Sequence, residues 1–275
     1  MLQAADVSFA YRQDLVLREA SVTAARGTLL GILGPNGSGK TTLLRLLAGL
    51  LRPASGRVTI DGQDLGALPR HVVARRLAVV PQETHLAFEF SVLEVALMGR
   101  YPHLGAFELE GPHDVQVARD ALAATGTLSL ADRPFDTLSG GEKQRVVIAS
   151  ALAQFAPAPG TSRTRRDPGP AQPQVLLLDE PTASLDLHYQ LEVASLLRQL
   201  NAERGLTIVV STHDLNFAAA VCRELVLLRD GCVLASGATP DVLTARAVRD
   251  LYGVEADVRH HDRAGHLTVV PLAHR

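Results

Sequence analysis

The sequence is poor in several things. Trp is absent and aromatic residues are few, yet an apolar content of 47% leaves ample material for a core. Only Cys222 and Cys232 are present, without a metal-like spacing. Two ordinary thiols suit a reducing cytosol rather than a disulfide-stapled fold. No apolar run approaches the roughly 18 residues needed to span a bilayer. The start, Met1-Leu2-Gln3-Ala4-Ala5-Asp6, lacks the basic region and apolar core of a signal peptide. A formal net charge of -2 suggests no polyanionic partner, and therefore no nucleic acid. No internal repeat is evident. At 275 residues the chain is one large domain or one and a half.

What is there is dominated by one stretch, Gly34-Pro35-Asn36-Gly37-Ser38-Gly39-Lys40-Thr41-Thr42, which fits the phosphate-loop pattern G-x-x-x-x-G-K-[ST]. The apolar run Thr28–Leu33 before it has strand length, and Leu43–Ala48 after it reads as a buried helix start. Glycines let successive backbone N–H groups point at phosphate oxygens, and the helix N-terminus adds partial positive charge. Lys40 is expected to reach the β- and γ-phosphates, and the Thr41 hydroxyl to hold Mg²⁺. By itself the loop says only "nucleotide": kinase, GTPase and transport motor all remain open.

The rest of the chain reads as α/β. Leu2–Phe9 and Val16–Ala24 alternate like antiparallel strands. Short strands are expected around Val58–Ile60 and over Leu77–Val80, the latter stopped by Pro81-Gln82. Helical patterns then run over Val92–Met98, Val115–Ala124 and Gly141–Leu152, giving a helical insert between two halves of the sheet. A Pro/Gly/Arg-rich segment, about 156–173, has no aliphatic residues to bury and reads as a disordered insertion. Order resumes with the unbroken apolar run Val175–Leu178, a buried parallel strand, and a second such strand, Thr207–Thr212. A helix over Leu187–Glu203 lies between them, and Glu224–Leu228 with Cys232–Ser236 forms a final hairpin.

Ligands bind open α/β sheets at the carboxyl ends of the strands. Asp179-Glu180 sits at such an end: one carboxylate, Asp179, can order a metal's water shell, and the next, Glu180, can accept a proton from attacking water. Read alone, they are two solvated acids. His213 ends the neighbouring strand, where it can bond a γ-phosphate or hold water, although a strand-end His is more often structural. Gln82 can give an amide oxygen to Mg²⁺ and touch the attacking water. These residues carry weight because they converge on one edge. Ser139 reads as an N-cap with Glu142 three residues on, a capping-box spacing. Gly140-Gly141 between them bares backbone N–H groups, which makes a second anion site the sharper reading of this helix start.

Taken in order, the phosphate loop, Gln82, Leu138-Ser139-Gly140-Gly141-Glu142, Asp179-Glu180, Ser184-Leu185-Asp186 and His213 resemble the ATP-binding-cassette (ABC) transport ATPases over about residues 2–240. The resemblance implies an α/β phosphate-loop ATPase core with an N-terminal antiparallel β subdomain and an inserted helical subdomain at about 84–155, followed by a C-terminal helix and tail over 241–275. It implies ATP and Mg²⁺ as cofactors, with Thr41, Gln82 and Asp179 at the metal. It gives Tyr11 the role of stacking on adenine, and makes Ser184–Asp186 the D-loop. Ser139–Glu142 becomes the signature that caps the ATP of a second copy, hence a head-to-tail homodimer with two sites. A soluble ABC ATPase acting on DNA or ribosomes usually carries long coiled coils or two cassettes, which this chain lacks. The signature argues against a phosphate-loop kinase.

Gly99-Arg100-Tyr101-Pro102-His103 is similar to the iron-chelate and cobalamin importers. The lead-in Leu86-Ala87-Phe88-Glu89-Phe90 and the Pro-rich insertion are most similar to the hemin import ATP-binding proteins. In such systems this region receives a short helix from the membrane subunit, so Phe88, Phe90, Arg100 and Tyr101 are expected at a docking surface. The implied partners are two permease subunits and, indirectly, a periplasmic hemin-binding protein, and the implied location is the cytoplasmic face of the bacterial inner membrane. Ferric siderophore and cobalamin are the alternative cargoes. The tail from Gly253 carries His260, His261, His266 and His274; imidazoles ligate heme iron, but a solvated, mobile terminus is the expected state.

Overall fold

A computed structural model describes every residue except 85, 106, 158–173 and 275. Nearly all of the expected insertion therefore lies outside the described residues. The chain opens with antiparallel strands β1 (Leu2–Tyr11) and β2 (Asp14–Ala24), and continues through β3 (Leu29–Leu33) into helix α1 (Lys40–Leu47). Leu2, Ala4 and Val7 of β1 are all buried although their spacing changes parity. A register irregularity between Ala4 and Val7 accounts for this, with Asp6 at positive φ: the extra residue flips the inward face. Strands β4 (Ser55–Ile60) and β5 (Gln63–Asp64) complete a four-stranded sheet of order β2-β1-β4-β5.

After α2 (Arg70–Ala74) and β6 (Leu77–Val80) come helices α3 (Val92–Leu97), α4 (Pro112–Ala124) and α5 (Gly140–Phe155). A 3-10 helix, Met98–His103, sits between α3 and α4. Then follow β7 (Val175–Asp179), α6 (Leu187–Arg204), β8 (Thr207–Thr212), α7 (Leu215–Val221) and the hairpin β9 (Glu224–Arg229)–β10 (Cys232–Ala238). The second sheet has the order β10-β9-β3-β8-β7-β6, parallel from β9 to β6. Strands β3, β7 and β8 are buried throughout, as expected for parallel strands covered on both faces. Their period of two sorts the core. Leu29, Leu33, Leu176, Leu178, Ile208 and Val210 face the helices α3–α7. Leu30, Ile32, Leu177 and Val209 face α1 and the antiparallel sheet. Both layers meet at the carboxyl ends of β3, β7 and β8, which is where the site lies.

The C-terminal region departs from expectation. After α8 (Thr239–Val242) and α9 (Ala245–Tyr252), the chain forms an antiparallel hairpin of β11 (Val254–His261) and β12 (His266–His274) rather than a loose tail. Ala256 and Val269 are buried in the main core, with Val258 and Leu267 packed on it. The alternation of these apolar residues about the turn at Gly265 is a hairpin signal; the conspicuous histidines hide it. No helix among the described residues is long and apolar enough to cross a membrane.

Candidate functional site

The loop between β3 and α1 has its shape because it must. A Cβ on Gly34 would stand 2.2 Å from the Leu228 carbonyl oxygen, and Gly39, with φ of 101°, turns the chain directly into α1. No side chain caps α1 and no acidic residue lies in its first turn, so its N-terminal N–H groups stay available to an anion. Ser38 Oγ is buried in the loop without a partner. Lys40 is buried and folds back across the loop: Nζ donates to the Gly34 carbonyl at 2.8 Å and the Pro35 carbonyl at 3.1 Å. It also lies 3.1 Å from Glu180 Oε1.

Glu180 follows β7 in a left-handed conformation, φ 44°, uncommon for a residue with a side chain. Ser211 of the neighbouring strand fixes it there. The Glu180 N–H donates to the Ser211 carbonyl at 3.1 Å and to its hydroxyl at 3.0 Å, and that hydroxyl donates to Asp179 Oδ1 at 2.6 Å. The carboxylate is thus held between two groups, Lys40 at Oε1 and His213 Nδ1 at 2.9 Å from Oε2. A cleft of about 530 Å³ opens onto this cluster, lined by residues between Asn36 and Thr42 together with Gln82, Glu180, Ser184 and His213. Thr41 and Gln82 in its lining, and the buried Asp179 next to Glu180, offer hydroxyl, amide and carboxylate oxygens, hard donors that suit Mg²⁺. Among the described residues no group of three or more His, Cys, Asp or Glu could hold a metal alone. A cation here would therefore depend on phosphate oxygens and water as well.

Ser139 caps α5 with both halves of a capping box. Its hydroxyl accepts from the Glu142 N–H at 3.4 Å, and Glu142 Oε2 accepts from the Ser139 N–H at 2.8 Å. Those hydrogen bonds hold the Glu142 carboxyl below its ordinary range. Gly140 and Gly141 have a packing reason as well: a Cβ would meet Leu185 at 3.1 Å or the Tyr189 ring at 2.3 Å. The Ser184–Asp186 turn therefore backs directly onto the α5 N-terminus. Asp186 is the N-cap position of α6, and Gln190 Nε2 holds the turn by donating to the Leu185 carbonyl at 3.0 Å. A second cleft of about 320 Å³, lined by Gly140 and Leu185, shares Gln82, Glu180 and Ser184 with the first. Tyr11 sits at the end of β1, edge-on to Phe9 at 4.8 Å and half exposed. It does not line the cleft, whereas Val16 of the same hairpin does.

The expected docking residues separate. Phe88 is 74% exposed and Tyr101 58% exposed, with Phe107 and Leu109 also exposed. Phe90 is half-buried and packs against the core. Arg100 must be corrected: it is fully buried and offers no surface. Its Nε donates to Asp114 Oδ1 at 2.9 Å, and its Nη1 donates to the Ala153 and Ala156 carbonyls at 2.7 and 2.6 Å. A buried guanidinium needs such a set of acceptors, and the C-terminus of α5 supplies them with favourable dipole charge. Burial alone would disfavour the ionised Asp114, but hydrogen bonds from Arg100 and the Gly111 N–H outweigh it and hold the carboxyl low. Ser211 carries no sequence signal of its own; its role follows from its place opposite Asp179 in the β7–β8 register.

This geometry, a phosphate loop facing a strand-end acid pair and a strand-end histidine beside a Ser139-capped second helix that opens on Gly140-Gly141, defines a nucleotide hydrolase of the cassette type. The family model described as "ABC transporter" matches residues 17–157. A second model, an AAA domain, matches residues 113–219. The chain belongs to the ABC transporter family and is an ATPase. It is 44% identical over 272 residues to the hemin import ATP-binding protein HmuV of Gloeobacter violaceus, covering 99% of this chain and 94% of that one. It is 40% identical to the cobalamin import ATP-binding protein BtuD of Halobacterium salinarum, covering 94% of this chain and 61% of that one. Among solved structures it resembles a chain of a metal-chelate type ABC transporter in an inward-facing conformation, with TM-score 0.82, 31% identity, and coverage of 99% and 97%.

Proposed function

We propose that this chain is the ATP-hydrolysing motor subunit of an ABC importer for hemin. The observation that carries the motor reading is the placement of Glu180 between Lys40 and His213 at the mouth of the phosphate-loop cleft. Phosphates in the loop would compete for the Lys40 ammonium, drawing it from Glu180 toward the β- and γ-oxygens. Glu180 is then free to take a proton from water as the water oxygen attacks the γ-phosphorus. The bond from γ-phosphorus to the β,γ-bridging oxygen breaks, and ADP leaves with that electron pair. His213 holds the water or the γ-phosphate, and Tyr11 lies against the adenine. Thr41, Gln82 and Asp179 would hold Mg²⁺, which neutralises phosphate charge when bound.

The second half of each site comes from another copy of this chain. Ser139, Gly140, Gly141 and Glu142 present a helix N-terminus to the partner's γ-phosphate, with Ser184, Leu185 and Asp186 beside them. ATP closes the two copies and hydrolysis lets them part. Residues 2–240 form the nucleotide-binding domain, and 241–275 a C-terminal unit. Phe88, Tyr101 and the partly exposed Phe90 of each copy receive a helix from one of two permease subunits at the cytoplasmic face of the bacterial inner membrane. A periplasmic hemin-binding protein delivers the cargo.

Hemin is favoured by the near-complete match to a hemin import protein. Cobalamin or another metal chelate is the second reading, on the strength of the matches to those transporters. Nothing in this subunit touches cargo, so the test belongs to the assembled system. Reconstituted with the permease and binding protein from its own gene neighbourhood, the complex should accumulate hemin in an ATP-dependent way. Uptake of cobalamin or a ferric siderophore with no response to hemin would replace the hemin reading and leave the motor reading standing.

A further inference from the structure

The turn that carries His213 leads straight into α7, and both ends of that junction are tied to the C-terminal unit. Thr212 Oγ1 accepts from the Asp214 N–H at 3.0 Å, and Asp214 Oδ1 caps α7 by accepting from the Asn216 and Phe217 N–H groups at 2.8 and 3.0 Å. The His213 backbone is therefore stitched to the first turn of α7. That helix has only seven residues, too few to hold its own position without packing.

The β11–β12 hairpin holds it. Asn216 Nδ2 donates to the Val269 carbonyl at 3.2 Å, and Asn216 Oδ1 accepts from the Val269 N–H at 2.8 Å. The amide thus pairs with β12 as a neighbouring strand would. Beneath it, Val269 and Ala256 join the same buried cluster as Phe217 and Ala218. From the other side, Tyr252 at the end of α9 donates its hydroxyl to the His213 carbonyl at 3.2 Å. Gly253, at φ 70°, turns the chain from Tyr252 directly into β11, so the tyrosine and the hairpin move as one. Burial, with the nearby charges of Glu180 and Asp214, pushes the Tyr252 phenol up, so it stays a donor.

We infer that the C-terminal unit, through its residues 245–274, sets the position of the His213 imidazole against Glu180, with Tyr252 and Asn216 as positioning residues for ATP hydrolysis. The inference rests on the reading of His213 given under Proposed function. The plainer role for the same contacts is a cover that stabilises the fold and nothing else. The two differ in what they do to turnover: a positioning pair changes kcat at constant ATP affinity, while a cover changes stability.

The experiment uses the full chain assembled with its permease, and begins with His213→Ala. Near-normal turnover there would remove His213 from the mechanism and this inference with it. With that control inactive, Tyr252→Phe and Asn216→Leu should each lower kcat by about three- to tenfold, the scale of one lost hydrogen bond. KM for ATP should stay the same. In the isolated labelled chain, the His213 ring resonances, assigned by their loss in His213→Ala, should move in both variants. Unchanged kcat with unmoved resonances in Tyr252→Phe, which deletes a single oxygen, overturns the inference even if Asn216→Leu fails to fold. So does a fall in kcat that comes with weaker ATP binding and a matching loss of melting temperature.

Discussion

Lys40 and Arg100 are both buried cations, and they do opposite things with their burial. Lys40 is a point charge shared among two loop carbonyls and Glu180, at the floor of a cleft of about 530 Å³. Every one of its partners can be exchanged for a phosphate oxygen. Arg100 spreads a planar fork over Asp114 and the last carbonyls of α5, where nothing else can reach it. A compact ammonium with an open side suits a charge that must be lent, and a buried guanidinium fixed through Nε and Nη1 suits one that must stay put. Arg100 joins the segment before α4 to the far end of the helix that begins at Ser139, so the surface near Tyr101 and the signature are parts of one body.

The largest effect is expected from Arg100→Glu. Two carboxylates would face each other in the helical subdomain beside unpaired carbonyls. The expected cost is about 3–5 kcal/mol, read as a lower urea midpoint or loss of soluble protein. A variant as stable as the parent would mean that Arg100 is not locked. Lys40→Ala should be milder for the fold and severe for the ligand. ATP affinity should drop by about 1.5–3 kcal/mol in calorimetry, the scale of a hydrogen bond to a charged group, while the urea midpoint moves less than for Arg100→Glu.

Acid should find the Arg100 pair as well. The Asp114 carboxyl is held below its ordinary 3.8 despite burial, by Arg100 and the Gly111 N–H. Glu94 and Glu142 are held below 4.5 by their capping boxes. A carboxyl lowered in the fold contributes stability above its unfolded pKa, and that contribution is lost as pH falls through the folded value. Urea midpoints should therefore fall below about pH 4, and Asp114→Asn should flatten that acid limb. The smallest effect is expected at Tyr101→Ala, next to Arg100 but exposed. Stability should stay within about 0.5 kcal/mol, while co-purification with the permease weakens.

These contrasts also mark how far the sequence could be read. The parallel strands are legible because Val175–Leu178 and Ile208–Val210 are unbroken apolar runs followed by polar residues, and that ending places Glu180 and His213 on one edge. The capping box of α5 was legible because it is a local spacing. Arg100 was misread because its partners are remote, one 14 residues on and two more than 50 residues on, and its neighbour Tyr101 really is exposed. The C-terminal hairpin is hard to read from sequence because its alternation is short and histidines flank its turn. Its tie to His213 depends on two long-range side chains, Asn216 and Tyr252, with no spacing rule of their own.

Glu180, held between Lys40 and His213, is the proposed base for ATP hydrolysis. The most direct measurement is phosphate release in a single turnover by Glu180→Gln, in parallel with ATP affinity. The amide keeps the size and one acceptor oxygen but cannot take the proton. ATP should bind at least as tightly as to the parent, and phosphate release should fall by about two orders of magnitude or more. Release at near the parent rate, with ATP bound normally, would contradict the claim and move the base elsewhere in the cleft.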